Sequence, residues 1–338
     1  MTHIPNVFGK CLIRCWKSNR SLTALIVFSV SVLIVSMFGL CFDQRMVLGE
    51  HPWIKPVKFS ASLAIFGVTL FWLGQFLTNH THAFRRTCRA ALSGSIAELS
   101  IIIIQVMRGA PNHFNMGSSF DNGMAWLAAI SILPVAFSIV VVFFLLLREP
   151  NLPAVLGCAL RWGVLLSVIG CIPGFMMLAP VAMQHIIVHQ VSTSLHQTST
   201  GLQQASTNLH QASISLQQTS SGIPFLGWST VSGDLRVAHF VGIHALQFFP
   251  VLAFIVMKLL PNVSILRKEL LIGNIGLTYL GVIALLTHQA LIAEPITAPS
   301  HHTLAYAVIL ALASVNAAVY ILFAPSHTVT SKLQEAES

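Results

Sequence analysis

Residues 234–247 read DLRVAHFVGIHALQ and, after Asp234, set one arginine, two histidines and one glutamine on an otherwise apolar stretch. As a helix with His239 at zero, Arg236 falls at about 60°, Gln247 at about 80° and His244 at about 140°. A polar arc on an apolar helix belongs at the interior of a helix bundle or against a water-filled cavity. Imidazoles so placed ligate haem iron or a transition metal, or relay protons. Neighbouring cations hold haem propionates or a small anion. The i, i+5 spacing of His239 and His244 differs from the i, i+4 pair that puts two imidazoles on one metal from one helix. Each histidine is therefore expected to make a separate contact.

A second polar line runs through ALSGSIAELSIIIIQVMRG. Glu98 lies near mid-depth, Gln105 two turns further on almost the same face, and Arg108 at the end. An ionisable side chain within a membrane span costs about 2.5–3.5 kcal/mol on insertion scales, which makes Glu98 a site candidate, as metal ligand, general base or proton carrier. The segment EHPWIKPVKF brings His51, Lys55 and Lys58, the two lysines three apart on one helical face. RGAPNHFN follows Glu98's stretch, carries Arg108 and His113, and leads on to Asp121. Asn274, Thr278 and His288 share an arc of about 80° further along. His301 and His302 stand at the start of the last apolar segment.

The elements that must position these residues follow from composition. Of 338 residues, 55% are hydrophobic and 8% charged, with a mean hydropathy of +0.77. Soluble domains carry about 25% charged residues, so a soluble fold is excluded. The pattern predicts an all-α, polytopic helical membrane bundle. Its spans fall at about 22–42, 57–78, 90–107, 124–147, 154–179, 236–260, 270–290 and 303–324, each long enough for a bilayer. A basic N-terminal segment 1–21 precedes five helices in 22–180. A loop 181–235, three helices in 236–324 and a tail 325–338 complete the chain. Of the 18 Lys and Arg, only Arg45, Lys55, Lys58, Arg108 and Arg236 fall on the second side, so the charge rule puts both termini in the cytoplasm. All five lie close to span ends, where they either snorkel to lipid headgroups or line one anion pocket. The site residues converge on the outer, periplasm-facing half.

The net charge of +8 comes without a basic stripe or a nucleic-acid motif, and no nucleic-acid partner is expected. The six cysteines are scattered, and the lone CxxxC of Cys11 and Cys15 reads as reduced thiols. The loop 181–235 holds a tandem heptad, STSLHQT, STGLQQA, STNLHQA and SISLQQT from Ser192 to Thr219. Leu195, Leu202, Leu209 and Leu216 form a thin apolar seam, which suits either a self-associating stalk that makes a homo-oligomer or a polar loop without order.

HPWIKPVKF, the residues Arg108, Gly109, His113, Phe114 and Asn115, and DLRVAHFVGIHALQ resemble a family of uncharacterised bacterial polytopic integral membrane proteins. The resemblance implies a multi-pass protein of the bacterial inner membrane and no settled activity. In that family the connection holding the heptads is shorter. GxSxG, HExxH and nucleotide-binding glycine loops are absent, which leaves open whether the chain is an enzyme. Three functions fit. The first is a haem b or transition-metal cofactor held by His239, His244, His288 and His113, with Arg108, Arg236, Lys55 and Lys58 on propionates, Glu98 as a further metal ligand, and Gln105, Gln247 and His51 in support. The second is a transporter or receptor for a small anion or lipid headgroup. The third is a membrane scaffold.

Overall fold

The computed structural model describes residues 19–47, 49–110, 118–177 and 222–325. The heptads and His113 lie outside them. Among the described residues there are nine helices. These are α1 Arg20–Phe42, α2 Ile54–Leu73, α3 Thr81–Arg108, α4 Ser119–Ser131, α5 Leu133–Leu147, α6 Ala154–Met176, α7 Leu235–Leu259, α8 Ile265–Leu291 and α9 His301–Phe323. With α4 and α5 counted as one stretch, eight are long and apolar enough to cross a membrane. The all-helical, multi-span architecture expected from hydropathy is the one observed.

Helix ends depart from the hydropathy spans for local reasons. Asn19 caps α1 by accepting the Leu22 N–H at 3.2 Å. Pro56 lies inside the first turn of α2, where a missing N–H costs nothing, so that helix starts earlier than expected. It also stops earlier, at Gly74, where a Cβ would stand 2.6 Å from the Phe84 ring. α3 begins at Thr81 because a helix continues through polar residues such as Arg85 and Arg86, which hydropathy reads as loop. The fourth span is interrupted at Ile132, two residues before Pro134, whose ring lacks the N–H that would continue the ladder.

The chain divides into two compact units, and the described residues up to Glu149 belong to the first. There, α1 packs on α2 and α3, and α3 packs on α4 and α5. The α2–α3 turn is tied to the end of α5 by Glu149, which is 1% exposed. Its carboxylate accepts the Asn79 Nδ2–H at 2.9 Å and the Thr78 hydroxyl at 3.2 Å.

The second unit is built on α6 and α7, with α8 against both and α9 against α8. Small residues bring the first pair backbone to backbone. A Cβ on Gly170 would lie 2.5 Å from the Gly242 Cα, and one on Gly163 would lie 2.9 Å from the Ala245 carbonyl. Ser167 reinforces the seam. Its Oγ accepts the Leu246 N–H at 3.0 Å and lies 2.8 Å from Gly163 O and 3.0 Å from Ile243 O. In lipid, where no hydrophobic force joins helices, such close approach and cross-helix hydrogen bonding hold a pair together. On α9 only Thr303 is buried, and its apolar side chains face outward.

Gly170→Leu or Gly242→Leu should lower the thermal stability of the detergent-solubilised protein by about 3 kcal/mol or more, since backbone is what the new side chain meets. The outward-facing change Leu312→Ala should leave melting nearly unaltered. Equal melting of the seam variants and this control would remove the seam from the account.

Candidate functional site

In the first unit the α1–α2 connection is organised by Asp43. Its carboxylate accepts the Arg45 N–H, the Arg45 guanidinium at 2.6 Å and the Trp53 Nε1–H at 2.8 Å. His51 donates its Nε2–H to the Asp43 carbonyl at 2.6 Å and accepts the Trp53 N–H at Nδ1. Gly49, at φ +79°, turns the chain between Val47 and Glu50. Trp53 is buried against Gly39, where a side chain would collide with the indole. The result is a fixed start for α2 and therefore for Lys55 and Lys58 in its first turns. That start has no side-chain cap and no acidic residue.

Glu98 lies on α3, ten residues before Arg108, which is about 15 Å along the helix and about half a hydrocarbon core. It is 4% exposed. The Ser131 hydroxyl, on the last turn of α4, donates to its Oε2 at 2.6 Å. One turn before Glu98, a Cβ on Gly94 would stand 2.6 Å from the Ser131 carbonyl. Glycine there allows α3 to approach the interruption between α4 and α5, and Glu98 then reaches the hydroxyl beside it. Lys55 interacts electrostatically with Glu98 and with Lys58, and its ammonium stands 5.4 Å from the Phe59 ring centre.

At the far end of α3, Arg108 donates to Gln105 Oε1 at 2.6 Å and to Asp121 Oδ1 at 2.7 Å, and it lies 4.4 Å over the Phe120 ring. Ser118 caps α4 and donates to the other Asp121 oxygen at 2.7 Å. Gln105 and Asp121 are both buried.

In the second unit Arg236 is exposed. Its guanidinium pairs with Asp234 at 2.7 Å and donates to the Gly227 carbonyl at 2.6 Å. His239 donates its Nδ1–H to the Gly170 carbonyl of α6 at 2.8 Å, a fit that needs Gly174, whose Cβ would lie 2.7 Å from that ring nitrogen. His244 donates its Nδ1–H to Gln247 Oε1 at 3.2 Å, and its ring lies tilted against Phe240 with centroids 4.4 Å apart. Its Nε2 is buried without a hydrogen-bond partner. Asn274 and Thr278 turn to α9, where Thr278 Oγ1 lies 2.7 Å from Ser314 Oγ. His288 is exposed and interacts electrostatically with Glu294.

Three of the five cations set apart by the charge rule are thus arginines held by aspartates: Arg45 by Asp43, Arg108 by Asp121 and Arg236 by Asp234. Each of these guanidiniums is neutralised by a carboxylate of its own unit. Lys55, Lys58, Glu98, Gln105 and Arg108 belong to the first unit; Arg236, His239, His244, Gln247 and His288 belong to the second. Among the described residues, no group of three or more His, Cys, Asp or Glu side chains is arranged to hold a metal ion. Ser131, Asp43 and Glu149 went unmarked in the sequence. Aspartate two before arginine was the available signal for Asp43, and no spacing pointed to Ser131. No family model, curated protein or solved structure matches this chain.

Outside the spans, three carboxyls sit below their ordinary range. Hydrogen bonds from Arg45 and Trp53 hold Asp43 down. Burial pushes Asp234 up, but its bonds and charge contact with Arg236 outweigh it. Hydrogen bonds from Thr303 and Ser300 lower Glu294. A carboxyl depressed in the folded state stabilises it fully above the unfolded value, about 4, and that contribution fades as the pH falls below it. The melting temperature should therefore drop with acidification below a pH of about 4. Asp43→Asn should melt lower at neutral pH and show a shallower acid slope; a slope identical to that of the parent would exclude Asp43 as a contributor.

Proposed function

We propose that this chain is a cation-coupled carrier for a small anionic solute in a bacterial inner membrane, with both termini cytoplasmic and the α2 start facing the periplasm. The observation that carries the reading is Glu98, a carboxyl at mid-span buried against an interrupted helix. A carboxylate is costly at such depth unless a proton, a metal cation or a fixed cation compensates it. A group whose charge must be matched at every step suits a carrier that takes up one ion per cycle. Pro134 withholds one N–H from the helix ladder beside Glu98, and polar backbone freed within a span is where carriers bind their ions. Lys55 and Lys58 stand at an uncapped helix start, which attracts anions. In this reading they receive the solute, while Glu98 takes the driving cation.

A second reading rests on His244. Its Nε2 is buried without a partner, and its Nδ1 is held by Gln247, which is how a protein presents an imidazole to a haem b or a transition metal. An oxidised and then dithionite-reduced spectrum of protein purified from haem-replete cells tests it. A Soret band that shifts on reduction and vanishes in His244→Ala supports it, and a colourless sample excludes haem.

For the carrier, purified protein in liposomes should take up at least one of a panel of small carboxylate and phosphate anions under an imposed pH or sodium gradient. Glu98→Ala should reduce that uptake at least about tenfold with an unchanged melting profile. Undiminished uptake by Glu98→Ala, or no uptake of any anion under either gradient, would overturn the reading.

A further inference from the structure

The buried serines of the described residues fall into two kinds. Ser36, Ser60, Ser131, Ser138 and Ser167 reach back to carbonyls of their own helices, at Val32 (2.6 Å), Pro56 (2.6 Å), Ala128 (2.9 Å), Val135 (2.5 Å) and Gly163 (2.8 Å), and Ser131 also meets Glu98. This is the ordinary way for a helical serine to satisfy its hydroxyl away from water. Ser29 and Ser95 are different. Both are 0% exposed, and neither hydroxyl oxygen has a hydrogen-bond partner. An orphaned buried hydroxyl costs about 1–3 kcal/mol and calls for an explanation.

Their placement supplies one. Ser95 precedes Glu98 by three residues and so lies beside it on α3. Ser29 is on α1, which packs on α3. The two helices come together at one end where the Asn19 side chain reaches Cys88. Ser29 stands ten residues beyond Asn19, and Glu98 stands ten beyond Cys88, about 15 Å in each case. Ser29 and Glu98 are therefore level, with Ser95 one turn short of them. Ser131, bonded to Glu98, brings a hydroxyl from α4.

We propose that Glu98, Ser95, Ser29 and Ser131 form a binding site for one sodium ion. Hard cations take oxygen ligands, and a single carboxylate among neutral hydroxyls matches one positive charge rather than two. A cation drawn to Glu98 would take both orphaned hydroxyls as ligands at once. Lys55, within electrostatic reach of Glu98, supplies the compensating charge when the ion is away and competes with it. The inference rests on the reading of Glu98 as the carboxylate that takes the driving cation, and it names that cation.

The test is thermal unfolding of the full chain in detergent, titrated with sodium chloride against choline chloride at constant ionic strength, with potassium chloride in parallel. The melting temperature should rise saturably with sodium and stay flat with choline. Ser95→Ala and Ser29→Ala should each raise the half-saturating sodium concentration about tenfold. Ser36→Ala, which removes a hydroxyl already bonded to its own helix, should leave that concentration unchanged, and Glu98→Gln should abolish the response. Identical melting in sodium and choline would overturn the site and leave a buried water as the partner of the hydroxyls. A sodium response that survives the Ser29→Ala, Ser95→Ala double change would overturn the ligand set, and equal potency of potassium would overturn the choice of ion. Loss of anion uptake in Glu98→Ala, together with no sodium effect on melting, would defeat this inference alone and leave a proton-driven carrier.

Discussion

A carboxyl group carried into hydrocarbon has to find its hydrogen-bond donors and its compensating charge within the protein, and Glu98 sets that demand on the first unit. Its hydroxyl donor, Ser131, is reached because Gly94 lets α3 approach the α4 end closely. That end exists because Pro134 prevents α4 and α5 from being one uninterrupted helix. Lys55 is in electrostatic reach because the Asp43 network fixes where α2 begins. Glycine, proline and an aspartate in a loop are thus all arranged around one acidic side chain, each by a different physical route.

Charges at the span ends follow a simpler economy. Each of the three aspartates holds an arginine: Asp43 with Arg45, Asp121 with Arg108 and Asp234 with Arg236. The arginines are more exposed than their partners, so the pairs stand at the margin between solvent and packed helix. Exposed pairs contribute little to stability by themselves. What they contribute here is direction. Asp43 also binds Trp53, Asp121 also binds the α4 cap Ser118, and Asp234 also caps α7 by accepting the Arg236 N–H. In each case one carboxylate orients a helix start and neutralises a cation at once.

The sequence revealed the spans because twenty apolar residues leave few alternatives. Helix ends were less legible, since α3 begins in polar residues that hydropathy excludes and α2 stops against the Phe84 ring, a neighbour no local pattern names. Glu98 stood out as an ionisable group within a span, and the arc of Arg236, His239, His244 and Gln247 was readable by angle. Its contacts were not. His239 meets a carbonyl of α6, whereas His244 bonds within its own helix, a difference that depends on how α6 packs. Ser131 was invisible for the same reason, being distant in sequence from the group it serves. The small residues along α6 and α7 were visible as letters, but which of them would touch was not.

The α6–α7 seam also limits how the second unit can move. Two helices in contact through glycine backbone have no intervening layer of side chains whose rotamers could be exchanged in small steps, and sliding one past the other would break the Ser167 bonds to Leu246 together with the Gly170–Gly242 contact. They behave as one beam. The middle of the α8–α9 contact instead runs through the short polar side chains of Asn274, Thr278 and Ser314, with Leu310 on Gly281 to one side and Arg267 donating to the Leu322 and Ala324 carbonyls at the α9 end. Between its two tethered ends α9 is the helix of this unit with the fewest buried residues, so any give in the unit falls to its middle before it reaches the α6–α7 frame.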